Sequence, residues 1–585
     1  MRVLTVAFLL SILSACPLSA QSISDARAIL DAYHLETPTT AEDRKLHLIC
    51  WRANDTEFPA NQQARMQRMM TDIQLFYADE MERLGWGRRT INLDLDSEGK
   101  LKLHHAVGAE PEANYGRPDG GKIKAECWPV LKAAGIDPDR ETVMIFTNLS
   151  SWDEETKVFR HKSPYYAGGN AKQGTAWQLD SPQLDSLHLT KKRPIIDDGE
   201  YGKISLGKHN SIFIGGIAHE LGHALGLPHC RGGKAERPTG TALMGSGNRT
   251  YRDELRDEGK GTFLSEVSSL RLASHPQFSG SQKGLYLPAK AQFTQMKIAS
   301  AGDRFTLTGT IESPLPIYAI IGYLDPEGRG DYDSHTTFNV PDTKGNFTLE
   351  CADLVKGNSG QVRLFALMVN GSTSKWSGDY SVKENGNTDI TPIQTELQLQ
   401  EFTQVWSRKQ YKHAKATIEA LPEGQAKALA QTVLTASTTQ RLQKTPTGAT
   451  FPLSKLLPTE AQVGWGKPTY DYLPRSNPFL RCSGRYFETG IYAHSPARHL
   501  YQLGEHDYQT LTGHCGVPNG AFGTVGFEIK VDGETVFQSG SIKPNQLKRF
   551  KVNITNARKI ELIVTDADNN PAGDWGVWFA PTLEQ

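Results

Sequence analysis

Three histidines, one glutamate and two glycines lie within a dozen residues of one another in the string AHELGHALGLPHC, at residues 218–230. Histidines four residues apart on a helix lie on the same face, so the imidazoles of His219 and His223 can reach one metal ion. Gly226 can adopt the left-handed conformation that ends a helix, and the chain can then bring His229 back as a third ligand. Three protein ligands leave one position of a tetrahedral zinc ion open for water.

Glu220 lies next to the first of these histidines and supplies the other group that hydrolysis needs. Its carboxylate can hold a zinc-bound water and take its proton, which combines a Lewis acid with a general base for attack on an amide carbonyl. A structural zinc site with Cys230 as the fourth ligand is the alternative. Because Cys230 directly follows His229, its side chain is expected to point away from the metal, which favours the catalytic interpretation.

The string HELGHALGLPH resembles the extended zinc signature of the metzincin metallopeptidases, and Ala242-Leu243-Met244-Gly245 follows it where that family has its Met-turn. The resemblance covers roughly residues 41–280. It implies that the three histidines bind one catalytic Zn²⁺ ion and that Glu220 is the catalytic base. It also implies that Gly226 makes the turn after the helix and that Met244 forms the hydrophobic floor beneath the metal.

The same resemblance implies a substrate-binding strand and raises the question of a tyrosine. In this family an extended substrate adds as a further strand to an antiparallel edge strand above the helix. The candidate residues for this edge strand are Gly174, Thr175, Ala176 and Trp177. Some metzincins have a tyrosine two residues after the Met-turn methionine, where this chain has Ser246. Tyr251 is the nearest tyrosine, and the sequence leaves open whether it can take that place.

Segments with the periodicity of helices and segments with that of strands surround this cluster. They predict an α/β (α+β) catalytic domain over residues 41–280. A long amphipathic helix is expected at about residues 61–84, since its apolar residues recur at helical spacing. Short apolar runs predict strands at residues 46–51, 90–95 and 142–149. The whole chain of 585 residues is too long for one hydrophobic core, so further domains are expected.

Three more domains are predicted after the catalytic one, which makes the fold class multidomain. Residues 285–384 alternate apolar and polar side chains between turns, a pattern typical of an immunoglobulin-like β-sandwich. Residues 388–445 are rich in helix-forming residues and predict a helical connector, in the form of a hairpin. Residues 451–585 are predicted to form a second, C-terminal β-sandwich.

Phrases such as YFETGIYAHSPARHLYQL and GDWGVW in the last domain resemble the NPCBM carbohydrate-binding module, a β-sandwich often attached to secreted glycosidases. The resemblance implies a carbohydrate partner. Sugar binding needs an exposed aromatic face and side chains that can hydrogen-bond hydroxyl groups. The candidates are His494, Arg498, Asp574 and Trp575. Polar loops at residues 325–333 and at Asp566 and Asp568 can hold Ca²⁺, although solvated turns are the commoner explanation.

Charge balance and the N-terminus restrict partners and location. Lys and Arg number 64 against 65 Asp and Glu, so neither a nucleic acid nor an anionic membrane is a predicted partner. Residues 1–20 have the layout of a signal peptide, with a possible lipobox ending at Cys16, and no later run is apolar enough for a transmembrane segment. We expect a protein that is secreted or lipid-anchored at the bacterial cell envelope, with a disulfide between Cys482 and Cys515.

Together these features predict an exported zinc-dependent endopeptidase that hydrolyses peptide bonds in a protein or glycoprotein substrate, targeted by its C-terminal module. The alternative is a glycan-binding surface protein whose zinc domain is catalytically silent, and the intact Glu220 argues against it. A glycosidase is a third possibility. No domain is left over to carry the paired carboxylates of that chemistry.

Overall fold

The computed structural model describes residues 22–35, 44–326, 332–436, 438–521, 523–544, 546–567 and 573–585, and it shows a multidomain protein of mixed α/β architecture. The expected signal peptide with Cys16, and Asp568 of one polar loop, lie outside these ranges. Within them, none of the helices combines the length and apolarity needed to cross a membrane.

The first unit contains the histidine-rich helix. Its helices are α1 (Ile23–Leu35), α2 (Gln62–Arg83), α3 (Gly120–Ala133), α4 (Leu206–Ala224), α5 (Glu266–Ala273) and α6 (Pro276–Ser279). Its strands are β1 (Leu46–Arg52), β2 (Leu103–Val107), β3 (Thr142–Thr147), β4 (Ser150–Asp153), β5 (Val158–His161), β6 (Tyr166–Asn170), β7 (Gln173–Leu179), β8 (Ile195–Asp198), β9 (Gly202–Ser205), β10 (Thr241–Ala242) and β11 (Thr262–Phe263).

A five-stranded sheet of order β2-β1-β3-β7-β6 forms the centre of this unit. Its strands are parallel except for β6, which lies antiparallel to β7 at the edge. Successive side chains of a strand point to opposite faces. Leu48 and Cys50 therefore pack into the core with α2 and α4, while Ile49 and Trp51 pack into a second core with α3. The sheet is covered by helices on both faces, which places α4 directly against it.

The sequence-based elements are only partly reproduced around this sheet. Helix α2 confirms the amphipathic helix expected at residues 61–84. The strand expected at residues 90–95 is wrong, because this segment makes only isolated bridges and β2 takes the place beside β1. The chain turns back at Asp96, whose carboxylate accepts hydrogen bonds from the backbone N–H groups of Glu98 and Lys100.

The second unit is built from two antiparallel sheets, of order β12-β13-β16 and β15-β14-β17-β18-β19. Its strands are β12 (Gln292–Ala301), β13 (Arg304–Glu312), β14 (Ile317–Asp325), β15 (His335–Asn339), β16 (Asn346–Cys351), β17 (Ser359–Met368), β18 (Thr373–Val382) and β19 (Thr388–Asp389). Strand β14 is buried along its whole length. Ile320 and Leu324 face the core between the two sheets, whereas Tyr318, Ile321 and Tyr323 belong to the core of the first unit. The two units therefore share one continuous core.

Four short helices follow, where a single hairpin was expected. They are α7 (Thr391–Gln398), α8 (Gln400–Ser407), α9 (Tyr411–Ala420) and α10 (Gln425–Ala436). Their apolar faces meet Phe479 of the last unit in one core. This segment is thus packed against the C-terminal domain.

The last unit is a β-sandwich with its own core. Its strands are β20 (Thr450–Pro452), β21 (Glu460–Gln462), β22 (Leu480–Cys482), β23 (Arg485–Phe487), β24 (Gly490–His494), β25 (Ala497–Gln502), β26 (Thr510–Gly516), β27 (Val525–Val531), β28 (Glu534–Ile542), β29 (Leu547–Asn553), β30 (Lys559–Asp566) and β31 (Trp575–Glu584). One sheet has the order β20-β31-β26-β29, with β24 also paired to β31, and the other has the order β21-β25-β30-β27-β28.

The expected disulfide between Cys482 and Cys515 is wrong, since both cysteines are free and buried. The Cys482 thiol instead contacts backbone carbonyls, with its Sγ 3.2 Å from Val517 O and 3.3 Å from Gln546 O. Burial raises the pKa of each thiol to about 12. Such thiols are poor nucleophiles at neutral pH.

His499 on β25 predicts a loss of stability in acid. It is fully buried, and burial lowers its pKa to about 4, whereas an exposed histidine has a pKa of about 6.5. Below pH 6.5 the unfolded chain therefore binds the proton preferentially, so stability is full above that pH and falls as the pH approaches 4. We expect the titration of His499 to lower the free energy of unfolding by about 2 kcal/mol when the pH falls from 7 to 5.

Calorimetry at these two pH values checks this expectation. His499→Phe should remove the loss from the transition of the C-terminal domain, whereas the matched change at the exposed His413 should leave it in place. An identical pH dependence in wild type and His499→Phe would contradict it.

Candidate active site

Helix α4 is built to be buried, and its two ends are defined by specific hydrogen bonds. The Ser205 hydroxyl accepts a hydrogen bond from Lys208 N at 3.1 Å and caps the first turn. At the other end Gly226 has a φ of 90°, and Leu227 N donates to Gly222 O at 2.9 Å. This is the Schellman arrangement, which only a left-handed residue permits. With this left-handed conformation Gly226 ends the helix and turns the chain.

The turn brings His229 back to the two histidines of the helix. His223 Nε2 and His229 Nε2 lie 3.0 Å apart. The ring centroid of His219 is 4.8 Å from that of His223 and 5.4 Å from that of His229. One ligand atom from each of the three side chains lies within 4.8 Å of the others.

The tautomers of the two helical histidines suit metal binding. His219 Nδ1 is 2.6 Å from Leu243 O, and His223 Nδ1 is 2.7 Å from Leu227 O. Because a carbonyl only accepts, each Nδ1 carries the proton and donates it, which leaves the Nε2 lone pair for a metal. His219 Nε2 is buried without a hydrogen-bond partner among the residues described. The donor set therefore fits a zinc ion.

Burial keeps these imidazoles neutral. His219 is 1% exposed, and burial together with the nearby His223 lowers its pKa to about 3. Burial also lowers the pKa of His223. Since only the neutral ring can donate a lone pair, both are ready to bind a metal at physiological pH.

Glu220 lies beside this group, almost completely buried at 9% exposure. Burial raises the pKa of its carboxyl to about 7. A carboxyl whose pKa lies near neutrality can both accept and return a proton, which is the property of a general base that later acts as an acid.

The segment with the Met-turn pattern lies against the C-terminal half of α4. Met244 is buried, and its side chain lies against Gly222, the residue before His223. Its carbonyl accepts a hydrogen bond from Cys230 N at 3.0 Å. Cys230 Sγ lies 3.4 Å from the hydroxyl of Ser265, away from the histidines. This geometry disfavours a structural site with Cys230 as the fourth ligand.

The edge strand of the sheet is not the one that the sequence indicated. Residues Gly174, Thr175, Ala176 and Trp177 lie on β7, which is hydrogen-bonded on one side to β3 and on the other to β6. The edge strand on this side of the sheet is β6, Tyr166–Asn170. A Cβ atom at Gly169 of β6 or at Gly174 of β7 would lie within 2.0 Å of Ala224 O. These two strands thus pack tightly on the end of α4 and place the edge next to the histidines.

No tyrosine reaches the histidines from position 246 or from position 251. Ser246 is exposed, and Tyr251 is buried with its hydroxyl donating to Asp72 Oδ2 at 2.6 Å. Sequence reasoning missed Tyr332, whose ring stacks on His229 with centroids 3.8 Å apart. Burial raises the pKa of Tyr332, and the charge of Glu220 adds to the effect. No local sequence pattern marks Tyr332, because it belongs to the second unit and only the folded chain brings it to the histidines.

A second group with metal-ligand chemistry consists of His47, Asp94 and His104. Here the negative charge of the Asp94 carboxylate is already balanced by neighbouring groups. Asp94 lies 3.1 Å from His47 Nδ1 and 3.1 Å from the ammonium group of Lys102. A metal would have to displace that lysine, so the arrangement is best described as an ion-pair network.

Two of the four carbohydrate-binding candidates gather in the C-terminal unit around an aromatic surface. Trp575 lies 6.3 Å from His494 and 5.4 Å from Trp465, centroid to centroid. Trp465 is 54% exposed and was missed by sequence reasoning. Its position between Gly464 and Gly466 was the available signal, since a turn between glycines presents its side chain to solvent.

The other two candidates are engaged elsewhere. Arg498 lies on the opposite sheet and forms ion pairs with Glu460 and with Glu561, the latter at 2.8 Å. Asp574 is fully buried, and its Oδ1 accepts a hydrogen bond from Thr524 N at 3.1 Å. Of the expected calcium loops, only parts lie within the described ranges, and Asp325 of one loop pairs with Arg363.

Comparison with known proteins identifies the last domain and finds similar solved structures. Residues 449–584 match the NPCBM/NEW2 domain family, which confirms the sequence-based assignment. No curated protein matches the chain. Among solved structures, the chain is similar to CBM51 from Clostridium perfringens GH95 in complex with methyl-galactose, with 26% identity, coverage of 23% of this chain and 99% of that chain, and a TM-score of 0.22.

The chain is also similar to OgpA from Akkermansia muciniphila. The wild-type structure is 25% identical, covers 59% of this chain and 96% of that chain, and gives a TM-score of 0.50. A catalytically inactive OgpA in complex with an O-glycopeptide (glycodrosocin) substrate is 24% identical, with the same coverage of 59% and 96% and a TM-score of 0.50. This chain therefore joins an OgpA-like region to a C-terminal NPCBM/NEW2 domain.

Proposed function

We propose that this chain is a zinc-dependent endopeptidase of the metzincin type that cleaves glycoproteins. One observation carries the proposal. The imidazoles of His219, His223 and His229 converge, with one ligand atom of each within 4.8 Å of the others, and the buried carboxyl of Glu220 lies beside them. A buried cluster of lone pairs next to a carboxyl of raised pKa is costly for stability and is typical of a catalytic metal site.

The residues of the chain divide the chemistry among them. Zinc held by the three histidines would supply Lewis acidity that polarises the scissile carbonyl and lowers the pKa of water. Glu220 accepts the proton of the attacking water and returns it to the leaving amine. The exposed edge of β6 aligns the peptide as an added strand, so that the carbonyl is held in place for attack.

Two features support a glycosylated substrate. The solved relative OgpA has been captured with an O-glycopeptide substrate, at 24% identity to this chain. The NPCBM/NEW2 domain adds a second means of recognising sugar. We propose that the protein is exported, either secreted or lipid-anchored, because a glycan-coated substrate would be met outside the cell.

Cleavage of matched peptides tests the proposal. The full mature chain is incubated with a mucin-type O-glycopeptide, with the same peptide lacking its sugar and with casein, each with and without a zinc chelator. We expect cleavage that the chelator abolishes and that is faster for the glycosylated peptide. Binding of the glycopeptide without cleavage, by a chain that contains zinc, would contradict the endopeptidase and favour the silent glycan-binding alternative.

The aromatic surface of the C-terminal domain predicts a separate effect on binding. Trp465→Ala should weaken binding of a mucin glycopeptide to the domain by about 3- to 10-fold, because one exposed aromatic contact is lost. Trp465→Phe, which keeps a stacking face, should retain most of the affinity. Calorimetric titration of both variants measures this, and unchanged binding by Trp465→Ala would place any sugar site elsewhere.

A further inference from the structure

Tyr332 belongs to the second unit, yet its ring lies against the histidine cluster of the first. Its centroid is 3.8 Å from that of His229, with an angle of 27° between the rings. The ring of His219 is also close to parallel with it, at 13° and 5.8 Å. Stacked rings at such separations attract each other. Tyr332 is 49% exposed, so part of its surface remains open to solvent.

Hydrogen bonds from both units hold the backbone next to Tyr332. Arg231, in the segment that follows the third histidine, donates its backbone N–H to Ser334 O at 2.9 Å. The Ser334 hydroxyl donates to the carboxylate of Asp325, which is fully buried. Arg363 Nη2 donates to the same carboxylate at 2.9 Å. The position of Tyr332 is thus coupled to the segment that carries His229.

The interface behind this contact belongs to a continuous core. The Tyr318 hydroxyl donates to Leu270 O at 2.6 Å, across the boundary between the units. The guanidinium of Arg271 lies 4.7 Å from the ring centroid of Phe365. Because closely packed cores deform little, the second unit can hold Tyr332 in a constant position relative to α4.

The three histidines differ in the backbone that carries them. His219 and His223 lie on a buried helix, and each is oriented by a hydrogen bond to a carbonyl. His229 lies beyond the turn at Gly226, on irregular backbone. The ring of Tyr332 stacks on the ring of His229.

We propose that Tyr332 is a positioning residue of the histidine site, supplied by the second unit, and that its ring holds the imidazole of His229 for metal binding. This inference rests on the proposed zinc site. The second unit is then a component of the catalytic site rather than a spacer between domains.

Competition for zinc between a chromogenic chelator and the full mature chain tests the inference without relying on activity. Tyr332→Ala should bind zinc about 3- to 10-fold more weakly than wild type, the effect expected from one aromatic stack. Tyr332→Phe keeps the ring and should bind as wild type does. Tyr411→Ala is the control, since Tyr411 is also 49% exposed but lies in the helical segment. It should leave zinc affinity unchanged.

The outcomes separate this inference from the proposed function. Wild-type affinity in Tyr332→Ala, in a protein that binds zinc, would overturn the role of Tyr332 alone. An equal loss in Tyr332→Phe and Tyr332→Ala would also overturn it, because the hydroxyl rather than the stacked ring would be responsible. A wild-type chain that binds no zinc would remove the proposed function itself. If Tyr332→Ala does not fold, Tyr332→Leu, which keeps bulk without an aromatic face, should show the same weakened binding.

Discussion

Replacing Glu220 with glutamine is expected to lower the turnover number for peptide cleavage by about 10²- to 10⁴-fold while zinc stays bound. Glutamine matches glutamate in size and still forms hydrogen bonds, but it cannot accept a proton. The buried carboxyl, whose pKa lies at about 7, is the group placed to take that proton. The substrate KM should change little, since Glu220 is not expected to hold the peptide in the ground state.

Zinc content and peptide cleavage are measured on the same preparation of the Glu220→Gln protein. The matched control is Glu236→Gln, a largely buried glutamate whose pKa burial also raises but whose carboxylate accepts hydrogen bonds from Gly233 and Glu266 N–H groups. If zinc-loaded Glu220→Gln has nearly the wild-type turnover number, the assignment of Glu220 as the base is wrong.

Replacing His223 with alanine is expected to remove the metal and, with it, all measurable cleavage. Loss of an outer partner of a metal ligand already costs about 10- to 100-fold in affinity, so loss of a ligand should cost at least about 100-fold. His223 Nε2 lies 3.0 Å from His229 Nε2, which makes it central to the donor set. The remaining pair cannot hold zinc against a competing chelator.

Metal analysis after dialysis against a chelator measures this effect. His413→Ala, at an exposed histidine of the helical segment, should retain zinc as wild type does. Full zinc content in His223→Ala would show that the metal is bound elsewhere. The group formed by His47, Asp94 and His104 would then be the next place to look.

The local parts of the candidate site could be predicted from sequence because they depend on neighbours in the chain. The i, i+4 spacing of His219 and His223 sets their common face through the helical repeat alone. The turn at Gly226 depends on one residue's freedom to adopt positive φ, and the structure gives it a φ of 90°. The C-terminal domain was likewise predictable, since its phrases match a family across residues 449–584.

The contacts between distant segments could not be predicted in the same way. Residues 173–179 have the composition of a strand wherever the strand lies, and only pairing with β6 makes β7 an inner strand. Cys482 and Cys515 share one domain, yet the Cys482 thiol contacts carbonyl groups instead of a second sulfur. Register and side-chain direction decide such contacts, and composition carries neither.

Local sequence was enough to identify three histidines at a spacing that suits a metal, a carboxyl beside them and a C-terminal domain of the NPCBM type. Tertiary packing was needed to show that β6 rather than β7 lies at the edge of the sheet, that the second unit shares the core of the first, and that Tyr332 stacks on His229. Helical spacing and turn conformation are properties of a few consecutive residues, whereas stacking across units depends on how whole sheets pack together.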